Sequence, residues 1–270
     1  MFLVSTTQRC GSTWLTRILE RMTGSASRYV DGRELGFRVR AHSEEGAPEI
    51  LAGALRSLRP AEVFKTHDIP SKDFDGVCAA LPELRLLTVS RDFKDVIVSR
   101  YFYYRYYWPS DPTLGSFPQY LMDLFASFKN VPDRAALAQL IESPELRAWA
   151  EEWAAFEGAF ATPNALRVRY SGLLDDSERS SLEAFTGRPF PRLASFEAAQ
   201  EAETADTGRA GRTRFYRRGQ CGQWREWFTG TQGRALDLSV GRLLSAKPDQ
   251  GAHDLRTLRG AELETTPHAE

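Results

Sequence analysis

The stretch Ser5-Thr6-Thr7-Gln8-Arg9-Cys10-Gly11-Ser12-Thr13-Trp14-Leu15 decides how the rest of this chain is read. Just ahead of it, residues 2–6 are a short, mostly apolar run with the profile of a buried strand. Behind it, residues 11–22 place Trp14, Leu15, Ile18 and Leu19 on one face of a helix. A strand, a glycine-containing loop and a helix together make an anion site, because the first amides of a helix lack intrahelical partners and its dipole favours negative charge there. Ser12 and Thr13 add hydroxyl donors and Arg9 adds a fixed positive charge, so the expected ligand carries phosphate or sulfate. Three chemistries could use such a loop. A Walker-type nucleotidase needs G-x-x-x-x-G-K-[ST], and both the first Gly and the Lys are missing. A cysteine phosphatase would use Cys10 as a thiolate with an arginine closing the loop. Arg17 is the nearest candidate, but it falls inside the predicted helix, one position beyond the usual gap. The third is phosphosulfate binding, and a capped turn without a ligand is the plain alternative.

Working outward, strands are predicted at 62–66, 84–90 and 165–170, the second with the continuous apolar character of a central parallel strand. Helices are predicted at 49–57, 75–81, 94–107, 117–128, 144–160, 177–186, 222–228 and 233–245. Residues 24–48 lack a clear period and read as a long connection. Residues 108–118 carry Pro109, Pro112, Gly115 and Pro118 and read as a loop; with 201–214, which has few large apolar residues, they are candidate lids. Strand–helix alternation predicts an α/β fold, a three-layer α/β/α arrangement around a mostly parallel central sheet. Residues 1–245 are expected to form one domain and 246–270 a frayed tail.

Bulk properties narrow the function. The 270 residues are 42% hydrophobic with a formal net charge of −1, so no global basic field suggests nucleic acid as a partner. Mean hydropathy is −0.41, and no apolar run approaches the ~18–20 residues of a membrane helix. Three widely spaced cysteines argue against a disulfide framework and for a reducing, cytoplasmic setting. No Cys/His pair has zinc-ligand spacing, and no carboxylate pattern demands magnesium, so no metal is expected.

Four further segments converge on one ligand. Phe64-Lys65-Thr66-His67-Asp68-Ile69-Pro70 puts a lysine and a histidine at a strand's carboxyl end, where ligands of α/β sheets bind. A neutral imidazole can take a hydroxyl proton, and the adjacent lysine can offset charge on a transferring group. Val89-Ser90-Arg91-Asp92-Phe93-Lys94-Asp95-Val96-Ile97-Val98-Ser99 sets Arg91 just past a strand and Ser99 on the following helix, so that both can reach one phosphate. Arg167-Val168-Arg169-Tyr170-Ser171-Gly172-Leu173 ends a strand on a tyrosine. Phe215-Tyr216-Arg217-Arg218-Gly219-Gln220-Cys221-Gly222-Gln223-Trp224-Arg225 pairs two arginines with a Gly-x-x-Gly-x-Trp continuation, and arginine forks suit bidentate phosphate binding.

In this order the segments resemble the motifs of the sulfotransferases that use 3′-phosphoadenosine 5′-phosphosulfate (PAPS), over residues 5 to about 229. The first loop resembles T-Y-P-K-S-G-T-T-W-L, and some bacterial carbohydrate sulfotransferases are similar in having Gln-Arg-x-Gly-Ser-Thr there. The others resemble K-T-H-L-P, R-N-P-K-D-x-x-x-S and R-K-G-x-x-G-x-W. The resemblance implies a P-loop-type nucleotide fold and sulfuryl transfer from PAPS to a hydroxyl of a small-molecule acceptor (phenol, alcohol or sugar), with 3′-phosphoadenosine 5′-phosphate (PAP) as product and no metal requirement. It implies His67 as general base, with Lys65 and Arg9 at the transferring group. Arg9, Cys10, Gly11, Ser12 and Thr13 would cradle the 5′-phosphosulfate. Trp14 and Tyr170 would lie at the adenine. Arg91, Ser99, Phe215, Arg217, Arg218 and Gly219 would complete the nucleotide site around the 3′-phosphate. Arg9 stands where the family has Lys, Gln8 where Pro is common, and Gln223 where Asp is common.

The run Tyr101-Phe102-Tyr103-Tyr104-Arg105-Tyr106-Tyr107-Trp108 is unusually aromatic. Tyr103, Tyr104, Tyr107 and, further off, Phe37 are candidates for the acceptor wall, with core packing as the equal alternative. A P-loop nucleotide phosphotransferase and a non-catalytic PAP-binding protein are the rival functions. The chain lacks a clear match to the short dimer motif of many animal relatives, so the oligomeric state stays open.

Overall fold

The computed structural model describes residues 1–29, 53, 56, 62–67, 79, 81–107, 119–158, 165–175, 177–191 and 220–245. Five strands form its sheet: β1 (Phe2–Ser5), β2 (Ser27–Tyr29), β3 (Val63–Thr66), β4 (Arg85–Ser90) and β5 (Ala165–Arg169). All four residues of β1 are buried. Neighbouring side chains along a strand face opposite sides, so both faces of the sheet are covered at β1, as a three-layer fold requires.

The strands lie in the order β2-β3-β1-β4-β5, and every pairing is parallel. From β1 the chain runs to β2 on one side, and from β4 it runs to β5 on the other. The carboxyl ends of β1 and β4 therefore border a topological switch point, where open parallel sheets bind ligands. Val4 is paired with Lys65 and with Leu87, so Lys65 shares a sheet face with Val4.

Eight α-helices occur among the described residues: α1 (Ser12–Thr23), α2 (Phe93–Phe102), α3 (Gln119–Ser127), α4 (Asp133–Ile141), α5 (Pro144–Gly158), α6 (Tyr170–Leu174), α7 (Arg179–Thr186) and α8 (Gly230–Ser245). A π-helical turn (Tyr103–Tyr107) follows α2, and a 3-10 turn (Gln223–Glu226) precedes α8. Leu15, Ile18 and Leu19 of α1 are fully buried with Val4, Val63 and Leu87 of the sheet. At roughly 1.5–3 kcal/mol for each buried aliphatic side chain, this stripe is what docks α1 and aims its N-terminus at the end of β1. The core continues through Val96, Ile97 and Tyr101 of α2 to Leu137, Leu140, Trp149 and Trp153 of α4 and α5.

Several expectations shift. Residues 24–48 contain β2, a three-residue edge strand too short to show alternation. It is held by β3 and by Ser27, whose N and Oγ both donate to Glu20 Oε1 at 2.8 and 2.6 Å. Helix α4 went unread because its Ala136, Leu137 and Leu140 stripe is brief. The helix expected over 94–107 changes to π geometry at Tyr103, and the one expected over 222–228 is the 3-10 turn. Expected helices 49–57 and 75–81, connections 108–118 and 201–214, and the tail 246–270 lie outside the described residues, single positions apart. Among the described residues no helix is long and apolar enough to cross a membrane.

Candidate active site

The chain leaves β1 through two buried threonines, Thr6 and Thr7, and enters a loop with unusual backbone. Arg9 has φ +70, the one non-glycine residue with positive φ among those described, and Gly11 has φ +110. Cys10 between them does not, and this alternation curls the amides into a concave nest, a backbone shape that suits anions. The left-handed conformation costs an L-residue such as Arg9 roughly 1–2 kcal/mol. Gly11 is required twice over: L side chains rarely adopt its φ of +110, and a Cβ there would sit 2.4 Å from Tyr170 Cδ2. The Gly11 carbonyl accepts from Leu15 N at 3.1 Å to start α1. Gly11 caps α1 with no side chain, so the helix's first turn opens directly onto the nest.

The loop carbonyls are turned away from that nest. Thr6 O faces His67 Nδ1 at 3.0 Å, Gln8 O accepts from Arg100 Nε at 3.3 Å, and Arg9 O accepts from Arg91 Nη1 at 3.0 Å. A trans peptide points its N–H opposite its C=O, so donors on the carbonyls aim the following amides the other way. The Gln8 side chain is held as well, its Oε1 accepting from the Tyr104 hydroxyl.

His67 and Lys65 meet this loop from the neighbouring strand. Lys65 Nζ donates to Thr13 Oγ1 at 2.8 Å, placing its charge at the start of α1. Burial, then the Lys65 ammonium, then Arg100 and Arg9 push the His67 imidazolium pKa down to about 3. His67 is therefore neutral at physiological pH. A proton on Nδ1, donated to Thr6 O, leaves Nε2 as a lone-pair acceptor. Cys10 behaves oppositely to a nucleophile. It is buried, contacts Thr7 Oγ1 at 3.0 Å, and burial pushes its thiol up to about 11 against the pull of Thr7 and Arg100. A thiol kept protonated cannot serve the cysteine-phosphatase reading.

The segment just past β4 and helix α2 form the other wall. Arg91 Nη1 reaches Arg9 O, Nη2 reaches Gln220 O at 3.3 Å, and the guanidinium lies 4.2 Å over the Tyr170 ring. Among the described residues its buried Nε has no hydrogen-bond partner. Ser99 accepts from Arg9 Nε at 3.3 Å, so Arg91 and Ser99 converge on Arg9, one at its carbonyl and one at its side chain. Burial raises the Tyr170 hydroxyl's pKa against the nearby Arg91. Trp14 is buried in the core, and its indole N–H donates to Leu173 O at 3.2 Å, tying α1 to α6.

Two contributors escaped sequence reasoning. Asp95, almost fully buried, accepts from Gly222 N at 2.7 Å and from Trp224 N at 3.1 Å, fixing the turn that follows Gly219. Arg100 is 2% exposed and pairs both terminal nitrogens with Glu152 at 3.1 and 2.8 Å. The signal for Arg100 was present: it sits on the stripe Phe93, Val96, Ile97, Arg100, Tyr104, where a charge must find a partner. Asp95 gave no such signal, because its partners are 127 and 129 residues away.

The aromatic run divides by direction. Tyr103 lies 4.5 Å beneath the Arg9 guanidinium and Tyr104 is buried against Gln8, so both face the loop. The hydroxyls of Tyr101 and Tyr106 both donate to Asp133 Oδ1 at 2.7 Å, away from the loop. Tyr107 ends the π-helical turn, and its side chain is outside the described residues, as are Phe37, Phe215, Arg217, Arg218 and Gly219. A cavity of about 250 Å³ between α2, α5 and α8 is lined by Arg91, Lys94, Trp153, Glu157 and Asp237 among others, and by none of residues 6–13.

A parallel sheet with a glycine-containing strand–helix loop at its switch point defines a P-loop-type α/β protein. The family model for the sulfotransferase domain matches residues 1–248, and the chain belongs to that family. Its reaction is sulfuryl transfer. The fold is similar to that of mouse sulfotransferase SULT7A1, solved with PAP, at 17% identity over 91% of this chain and 85% of that one, with a TM-score of 0.52. Retinol dehydratase, solved with androsterone and PAP, gives 17% identity over 92% and 81% and a TM-score of 0.48. A sulfotransferase from Alicyclobacillus acidocaldarius gives 14% identity over 77% and 90% and a TM-score of 0.35. No curated protein matches the chain.

Proposed function

We propose that residues 1–245 act as one enzyme unit that moves a sulfuryl group from PAPS to the hydroxyl of a small-molecule acceptor, with His67 as general base. The observation that carries this reading is that a neutral His67 meets the start of the loop at Thr6 O and Lys65 meets the start of α1 at Thr13 Oγ1. One group can take a proton and the other can offset anionic charge. The residues fit an anionic ligand: among the described residues the buried Arg91 Nε has no hydrogen-bond partner and so a donor to spare.

PAPS supplies the sulfuryl group and the departing PAP. The chain's own residues do the rest. Loop amides and the α1 N-terminus hold the 5′ end, and Arg9 and Lys65 offset charge on the sulfuryl oxygens. His67 Nε2 takes the acceptor proton as the acceptor oxygen bonds to sulfur and the sulfur–oxygen bond to the 5′-phosphate breaks. A base whose pKa is depressed to about 3 is weak alone. Part of that depression comes from Lys65, Arg100 and Arg9, and an anionic ligand beside them offsets it. Arg91, Ser99, Arg217, Arg218 and Gly219 would hold the 3′-phosphate, with Trp14, Tyr170 and Phe215 about the adenosine. Tyr103 and Tyr104 border the acceptor side, with Tyr107 and Phe37 as further wall candidates. Cytoplasmic action on a soluble acceptor completes the reading.

The test is His67→Ala followed by PAP release from PAPS across a panel of phenols, alcohols and sugars. Turnover falls by about 10²–10⁴-fold while PAP affinity changes little. Turnover near that of the unaltered protein rejects the base. Tighter binding of ADP with magnesium than of PAP rejects the nucleotide.

A further inference from the structure

Arg9 is held in its left-handed conformation from both sides. The peptide before it accepts from Arg100 and the peptide after it accepts from Arg91. Backbone in a sparsely populated region persists only where the surroundings over-determine it, and these two guanidiniums hold the peptides on both sides of Arg9. Arg91 also reaches Gln220 and Tyr170. Arg100 makes a simpler arrangement. Its two terminal nitrogens are both spent on Glu152, and its Nε is left for Gln8 O. With its charge matched by Glu152 and its surface buried, Arg100 is not placed to bind an anion. It works as a strut between α5 and the loop.

We propose that Arg100, braced by Glu152, is a positioning residue that holds the Gln8–Arg9 peptide in its anion-binding conformation. Together with the Tyr104 hydroxyl on Gln8 Oε1 it grips Gln8 by main chain and side chain, supplying the rigidity that a proline would give at this position. The π-helical turn brings Tyr104 to that task one step after Tyr103 has met Arg9. The proposal rests on reading loop 6–11 as the site of the ligand's 5′ end. Its consequence is selective: loss of the strut harms recognition of a 5′-phosphate and leaves recognition of the rest of the nucleotide alone.

The experiment compares PAP with adenosine 3′-monophosphate, which lacks the 5′-phosphate, by calorimetry on the full chain. The double variant Arg100→Met with Glu152→Met removes the strut without stranding a buried charge. Its preference for PAP over the monophosphate should shrink by about 10-fold or more, the worth of one hydrogen bond from a charged donor, while monophosphate affinity stays put. An unchanged preference overturns the proposal, and so does an equal loss for both ligands, which marks general damage. If the double variant does not fold, Arg100→Lys reads the same ratio, because a lysine can hold Glu152 or Gln8 O but lacks the fork for both. An unaltered protein with no preference for PAP over the monophosphate overturns the nucleotide reading beneath the proposal, and is distinguished by needing no variant.

Discussion

Gly11→Ala tests the loop most directly, because the cost can be worked from contacts. The added Cβ would lie 2.4 Å from Tyr170 Cδ2 and 2.7 Å from Cε2, whereas ordinary contact begins at 3.4 Å. The ring must retreat by about 1 Å, and it is buried and stacked with an Arg91 that is itself tied to Arg9 O and Gln220 O. Overpacking of this kind costs ~1–3 kcal/mol. The positive φ adds roughly 1–2 kcal/mol for any L-residue. A total of ~2–5 kcal/mol corresponds to about 4–9 °C in Tm for a chain of this size. Gly24→Ala is the internal control: its φ is +69, but nothing lies within 4 Å of its would-be Cβ, so it bears the backbone cost alone. Thermal unfolding by circular dichroism and PAP binding by calorimetry read both effects. If Gly11→Ala melts no lower than Gly24→Ala and binds PAP normally, the packing of Tyr170 on the loop is not what shapes the cradle.

Two other predictions follow the electrostatics. The folded pKa of His67 lies below its ordinary unfolded value near 6.5, so the folded state binds fewer protons between about pH 3 and pH 6.5. Stability is therefore full above pH 6.5 and falls as pH drops toward 3; His67→Gln should flatten part of that loss between pH 7.5 and 5 in urea unfolding, and identical slopes would remove His67 from the account. Asp95→Asn replaces a carboxylate that accepts two amides with a group whose NH₂ must face one of them. Charge-assisted bonds of this kind are worth ~1.5–3 kcal/mol, so exchange at the Gly222 and Trp224 amides should quicken by about 10-fold or more; unchanged exchange would mean that Asp95 does not hold the turn.

Much of the frame is legible because its signals are local. Phe2-Leu3-Val4 and Leu86-Leu87 announce buried strands by composition, and the α1 stripe announces its helix by period. The loop's place is legible because a glycine followed by hydroxyl residues marks a strand–helix junction. What stayed hidden depends on distant partners or on geometry without a compositional mark. The three residues of β2 show no alternation. In the aromatic run every ring is apolar enough for the interior, so periodicity could not separate Tyr103 and Tyr104, which face the loop, from Tyr101 and Tyr106, which face Asp133. Arg91 and Ser99 were readable as neighbours, but their meeting at Arg9 was not, since it depends on the left-handed backbone of that residue.

The bonds from Arg91 and Asp95 to residues 220–224 span 127 to 129 positions of sequence, and the loop they border lies within the first dozen. Loop-closure entropy makes such contacts late in folding. During synthesis from the N-terminus, the sheet's central strands and α1 can pair long before the 220–224 turn leaves the ribosome. The wall that this turn builds beside Arg91 is then among the last parts of the molecule to form. A truncated chain would carry the nest without its far side, so under the proposed function nucleotide retention would report that the polypeptide has been made past Trp224.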